Sequence, residues 1–161
     1  MPIARLASKC VADDLVLAGL DGPSVRFLET SADSAIEIAE SVLEDLQKEG
    51  WSAGDICLLT TGSRHPQQVR QVSQSTRYEY WNSFFESDEV FYSHVLGFKG
   101  LERRVIVLAV NGWKHEGAKK DMLYTAVTRA RDLLVICSSV DDIRQAGGKE
   151  FLKALVRNPS P

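Results

Sequence analysis

Three short runs, "DICLLT" (55–60), "RRVIVLAV" (103–110) and "DLLVIC" (132–137), are apolar almost without a break. A strand with one face in water alternates polar and apolar residues, whereas a continuous run implies cover on both faces. Strands of that kind belong to parallel sheets, whose crossover helices lie over the two sides. "SVRFLET" (24–30) and "EVFYSHV" (89–95) add two more strand candidates. Helical stretches separate these runs. In "SADSAIEIAESVLEDLQKEG", Ala35, Ile36, Ala39, Val42, Leu43 and Leu46 recur at helical spacing. Ser34 and Glu37 fit a capping box there, and Gly50 supplies a stop. "PQQVRQVSQ" (66–74) suits a helix with Pro66 in its first turn, and "KKDMLYTAVTRAR" (119–131) is helical by pattern. Residues 75–88, "STRYEYWNSFFESD", are aromatic and polar without a clear period. A short helix is expected over 148–156. The alternation predicts an α/β fold with an open, mainly parallel sheet and helices on both faces.

The chain has 161 residues and fits a single domain over 1–161, with an arm or short helix in 1–22 and a frayed tail at 157–161. Forty-four percent of residues are hydrophobic, enough for a real core. No apolar run approaches a membrane span, and the first residues lack the pattern of a signal peptide. Cys10, Cys57 and Cys137 lack metal-ligand spacing, and the last two fall inside strand candidates, which suits a reducing cytoplasm. The net charge of −3 argues against a dedicated nucleic-acid domain that binds by charge alone, but permits local phosphate contacts.

Two segments carry chemistry. In "GFKGLERRVIVLAV" (97–110), Gly97 and Gly100 bracket Lys99, and Glu102 stands just before a strand. In "LYTAVTRAR" (123–131), Arg129 and Arg131 fall on opposite flanks of an apolar arc when the segment is drawn as a helix. Arginine suits forked contacts with carboxylate or phosphate oxygens. Taken singly, each segment reads as solvated surface. Together, "FKGLE", a strand, a variable loop, "LYTAVTRAR" and a second strand resemble the C-terminal RecA-like lobe of UvrD-type superfamily 1 helicases, over about residues 54–138.

The resemblance implies a three-layer RecA-like fold and a site for ATP, with its Mg ion, in a cleft shared with an N-terminal lobe. It implies that Arg129 is an arginine finger on the γ-phosphate, that Glu102 contacts the ribose, and that Gly100 and Lys99 shape the loop. It also implies single-stranded DNA as a partner, for which Tyr92, Trp113 and Lys114 are candidates. A second γ-phosphate arginine normally follows an earlier strand; Arg64 in "ICLLTTGSRHPQ" is the nearest, and an alignment without gaps puts Gln67 there.

The chain departs from the family pattern where a Thr-x-His string usually precedes the lysine. Here His94 takes the Thr position and Leu96 the His position. Too few residues separate the "ICLLTTGSRHPQ" region from "FKGLE" for the family's large accessory domain. No G-x-x-x-x-G-K-[ST] phosphate loop occurs in the chain. The expectation is therefore one motor lobe of a longer ATP-dependent helicase, with no ATPase activity of its own. The rival expectation is a docking or scaffold domain that presents "YEYWNSFFES" to a protein partner.

Overall fold

The computed structural model describes residues 24–86 and 88–156; the expected N-terminal arm and C-terminal tail lie outside them. Among the described residues, five strands form one sheet: β1 (Ser24–Glu29), β2 (Ile56–Thr60), β3 (Phe91–His94), β4 (Arg103–Ala109) and β5 (Ala130–Ser138). Their order is β1-β5-β4-β2-β3, and every pairing is parallel. The α/β architecture read from the continuous apolar runs is borne out. β2 is buried at all five positions, as a central strand covered on both sides must be.

Among the described residues, five α-helices accompany the sheet: α1 (Ala35–Lys48), α2 (Pro66–Gln74), α3 (Arg77–Glu86), α4 (Lys119–Thr128) and α5 (Val140–Val156). α1 covers one face, packing Ala39, Leu43 and Leu46 on Ile56, Leu58, Val105 and Val107. α3, α4 and α5 cover the other, where Phe84, Met122, Leu123 and Phe151 meet Leu59, Ile106, Leu108 and Leu134. Alternate residues of each central strand thus serve two separate cores. Burial of this apolar area is the main source of stability.

Local chemistry departs from the sequence reading at four places. Ser34 occupies the N-cap of α1 but makes no side-chain cap bond; Ser31, one short turn earlier, accepts from the Ser34 amide at 3.2 Å. The stretch without a period is α3, started by a true capping box: the Thr76 amide donates to Glu79 and the Glu79 amide to the Thr76 hydroxyl, both at 3.0 Å. α4 stops at Thr128, so Arg131 lies on β5 rather than on a helix flank. The expected helix over 148–156 is present as the second half of α5, after a kink at Gly148 (φ +86°), but a first half starting at Val140 precedes it.

Candidate functional site

All five strands run the same way, so their amino ends share one edge and their carboxyl ends the other. β4, with seven residues, sets the edges about 20 Å apart at about 3.3 Å per residue.

The amino edge gathers the "FKGLE" loop and the end of α4. Arg103 pairs with Ala130 across the β4–β5 ladder, and the Arg103 amide donates to the Arg129 carbonyl at 3.0 Å. Leu101 and Glu102 therefore lie alongside Thr128 and Arg129. Phe98, fully buried, anchors the loop, and its carbonyl accepts from the Leu101 amide at 3.2 Å. Gly100 then turns the chain at φ +82°, with open space where a Cβ would stand. Its glycine serves a left-handed turn, not a close approach. Lys99, Gly100 and Glu102 are exposed.

Arg129 caps the C-terminus of α4, where a cation suits the helix dipole. Its Nε and Nη2 donate to the Thr128 hydroxyl at 3.2 and 3.1 Å, and Nη1 reaches the Leu101 carbonyl at 3.4 Å. The Thr128 hydroxyl is itself held at 3.0 Å from the Tyr124 and Thr125 carbonyls. Two guanidinium N–H groups are left over. Among the described residues no carboxylate pairs with Arg129. The other cations differ: Arg104 meets Asp132 at 2.5 Å and Arg26 meets Glu49 at 2.8 Å. The result is a half-buried arginine, oriented from below, with its charge unmatched and an exposed acid one loop away. Such an arrangement can receive a phosphate while the acid accepts from hydroxyl groups. Thr128, the hydroxyl that aims the guanidinium, is a site residue that the sequence reading passed over; its position immediately before Arg129 at a helix end was the signal.

The structure does not bring Arg64 to this place. Arg64 follows β2 and lies at the carboxyl edge, across the sheet from Arg129. Gln67 sits on α2 near that same edge. There the loops after β2 and β4 are tied together: the Lys114 amide donates to the Thr61 carbonyl at 2.9 Å and Asn111 donates to the Ser63 carbonyl at 2.9 Å. Trp113 and Lys114 belong to this edge, and His94 ends β3 beside it. Tyr92 is turned to the α1 face and stacks on His65, ring centres 4.6 Å apart. Arg131 is exposed at the start of β5 and, among the described residues, has no hydrogen-bonded or ionic partner.

Among the described residues no group of three or more His, Cys, Asp or Glu side chains could hold a metal ion. No described helix is long and apolar enough to cross a membrane.

Against this geometry, residues 90–137 match the family model of the UvrD-like helicase C-terminal domain. The matched segment runs from β3 through β5 and contains both "FKGLE" and "LYTAVTRAR". No curated protein sequence matches the chain. Among solved structures, it is similar to the C-terminal domain of a possible DNA helicase from Lactobacillus plantarum WCFS1, at 12% identity and a TM-score of 0.51, over 93% of this chain and 88% of that one. At that identity the likeness shows the fold alone. The sequence resemblance to the UvrD-type C-terminal lobe thus meets an independent match over the segment that carried it.

Proposed function

We propose that this chain is the C-terminal motor lobe of an ATP-dependent DNA helicase and contributes the Arg129 edge to an ATP site completed by an N-terminal lobe. The observation that carries the reading is the unmatched guanidinium of Arg129, held by Thr128 and Leu101 beside the Glu102 loop. ATP, when bound, supplies the γ-phosphoryl group that is transferred to water. Arg129 directs its two remaining N–H groups at the charge that develops on the phosphoryl oxygens. Glu102 accepts from ribose hydroxyls, and Lys99 and Gly100 give its loop its shape. The Mg ion that accompanies ATP belongs to the other lobe.

Favourable contact between Arg129 and a γ-phosphate exists only with the lobes together, so nucleotide state biases closure. Repeated closure and opening is the means of moving along a single strand. The docking alternative draws on α3, where Tyr78 and Phe85 are 78% and 71% exposed.

The test is ATP hydrolysis by a polypeptide that contains both lobes. Arg129→Ala lowers kcat by about 10³-fold or more, the usual worth of an arginine finger, with ATP affinity changed by only a few fold. An unchanged rate would refute the motor reading and favour docking.

A further inference from the structure

Neighbouring strands β2 and β4 send their chains to opposite faces of the sheet. Beyond β2 the chain turns to the α1 face, where His65, the N-cap of α2, meets Glu40 of α1 at 2.8 Å. Beyond β4 it runs to α4, on the other face. In open α/β sheets the crevice outside two such strand ends is the usual ligand position. Here the crevice has a floor built from two loops. The Thr61 hydroxyl donates to the Gly112 carbonyl at 2.5 Å, and the Lys114 amide donates to the Thr61 carbonyl at 2.9 Å. Asn111 uses both ends of its side-chain amide: Oδ1 accepts from the Gly62 N–H and Nδ2 donates to the Ser63 carbonyl, each at 2.9 Å. The loops approach so closely that a Cβ on Gly62 would stand 2.7 Å from the Asn111 carbonyl oxygen. Above this floor lies a cavity of about 640 Å³, lined in part by Arg64, Trp113 and Lys114. Arg64 and Lys114 are exposed, one on each loop. Each is fixed through its own peptide group. The Ser63 carbonyl that Asn111 binds shares a planar unit with the Arg64 nitrogen, and Lys114 is held by its own amide. A backbone fixed beforehand has less freedom to lose when a ligand arrives.

We infer that Asn111 is a positioning residue for the strand contact: it joins the two loops and so presents Arg64 and Lys114 as one preset pair of phosphate contacts. Asn111 itself meets no phosphate, because both arms of its amide are spent on backbone groups. Only an amide serves both loops at once, since one needs an acceptor and the other a donor. The inference gives Arg64 a role at the edge where it stands. It rests on the DNA partner of the proposed function and uses neither ATP nor Arg129.

The experiment titrates the two-lobed protein into a 5′-fluorescein-labelled thymidine octanucleotide over a series of salt concentrations and reads anisotropy. Each phosphate contact on a single strand contributes about 0.7 to the slope of log affinity against log salt, or about five-fold in affinity at about 0.1 M salt. The Arg64→Ala, Lys114→Ala double variant is expected to lower the slope by about 1.4. Asn111→Ala is expected to lower it by about 0.7 and to weaken binding about five-fold, because Arg64 no longer stands where its phosphate arrives. Added to the double cation variant, Asn111→Ala should change nothing further, since it acts only through those cations. A slope that Asn111→Ala leaves unchanged, even with weaker binding, overturns the inference, and so does a further loss in the double cation background. Both results leave the proposed function standing. No binding of the octanucleotide by the unsubstituted protein removes the DNA partner of that function and this inference with it. Should Asn111→Ala fail to fold, Thr61→Val, which removes the bond to Gly112 alone, decides: a lower slope supports the preset pair and an unchanged slope refutes it.

Discussion

Arg103 and Arg129 sit on adjoining rungs of one ladder and serve different ends. The Arg103 guanidinium lies 4.0 Å from the centre of the Phe84 ring and donates to the Phe84 carbonyl at 2.7 Å. Its Nε also points at the buried Cys57 sulfur, 3.4 Å away, while burial pushes that thiol up to about 11. Arg103 therefore clamps α3 to the sheet. A charged hydrogen bond to a buried carbonyl contributes about 1.5–3 kcal/mol, and the ring contact about 0.5–2 kcal/mol. Arg103→Ala is expected to destabilise the chain by about 2–4 kcal/mol in urea unfolding; a loss below 0.5 kcal/mol would contradict the clamp. Arg129 could be singled out from the sequence because its neighbours form a recognisable string. Arg103 could not, since its partner Phe84 lies in a stretch with no readable period.

Among the elements, α3 was hidden because its apolar residues come almost in succession. Tyr80, Trp81 and Phe84 turn inward while Tyr78 and Phe85 remain exposed, so aromatic content masks the periodicity. The helix start was nonetheless written in Thr76 and Glu79, three apart. The end of α4 misled for the opposite reason. Ala126 and Ala130 are both buried at helical spacing, yet Ala130 is buried as the first residue of β5. In α5 the half before the kink, from Val140, went unread, whereas the half after Gly148 matches the helix expected over 148–156. Gly148, at φ +86° and ψ 172°, occupies a backbone region nearly reserved for glycine. Gly148→Ala is expected to cost about 1–3 kcal/mol. Gly117→Ala, with no positive φ and open space around its Cβ, should stay within about 0.5 kcal/mol. Equal melting temperatures for the two variants would contradict this account of the kink.

At the scale of the molecule, the sheet and its covered faces were legible because buried parallel strands have a composition of their own. The edges were legible in the same way, since in a parallel sheet a residue just after a strand stands at the carboxyl edge and one just before a strand at the amino edge, but the resemblance was followed there instead. Arg64 shows the consequence. The carboxyl edge also carries a pH response. Burial holds both His65 and His94 below the ordinary histidine value of 6.5, in His65 against the opposing pull of Glu40 at 2.8 Å, and in His94 against the opposing pull of the Thr61 and Gly62 backbone, with Lys114 and Arg64 adding to the depression. The unfolded chain then binds more protons than the folded one just below pH 6.5, so stability rises with pH through that window and falls on acidification. The slope is at most about 1.4 kcal/mol per pH unit for each proton. Urea unfolding between pH 5 and 7 should show it, and the His65→Gln, His94→Gln double variant should flatten it; an unchanged slope would assign the effect elsewhere.

The most direct measure of the central claim is the preference of the two-lobed protein for a non-hydrolysable ATP analogue over ADP, with and without Arg129. The account predicts that the unsubstituted protein prefers the analogue, that Arg129→Ala loses this preference, and that ADP affinity is unaltered. A preference that survives the substitution would mean that Arg129 does not touch the γ-phosphate.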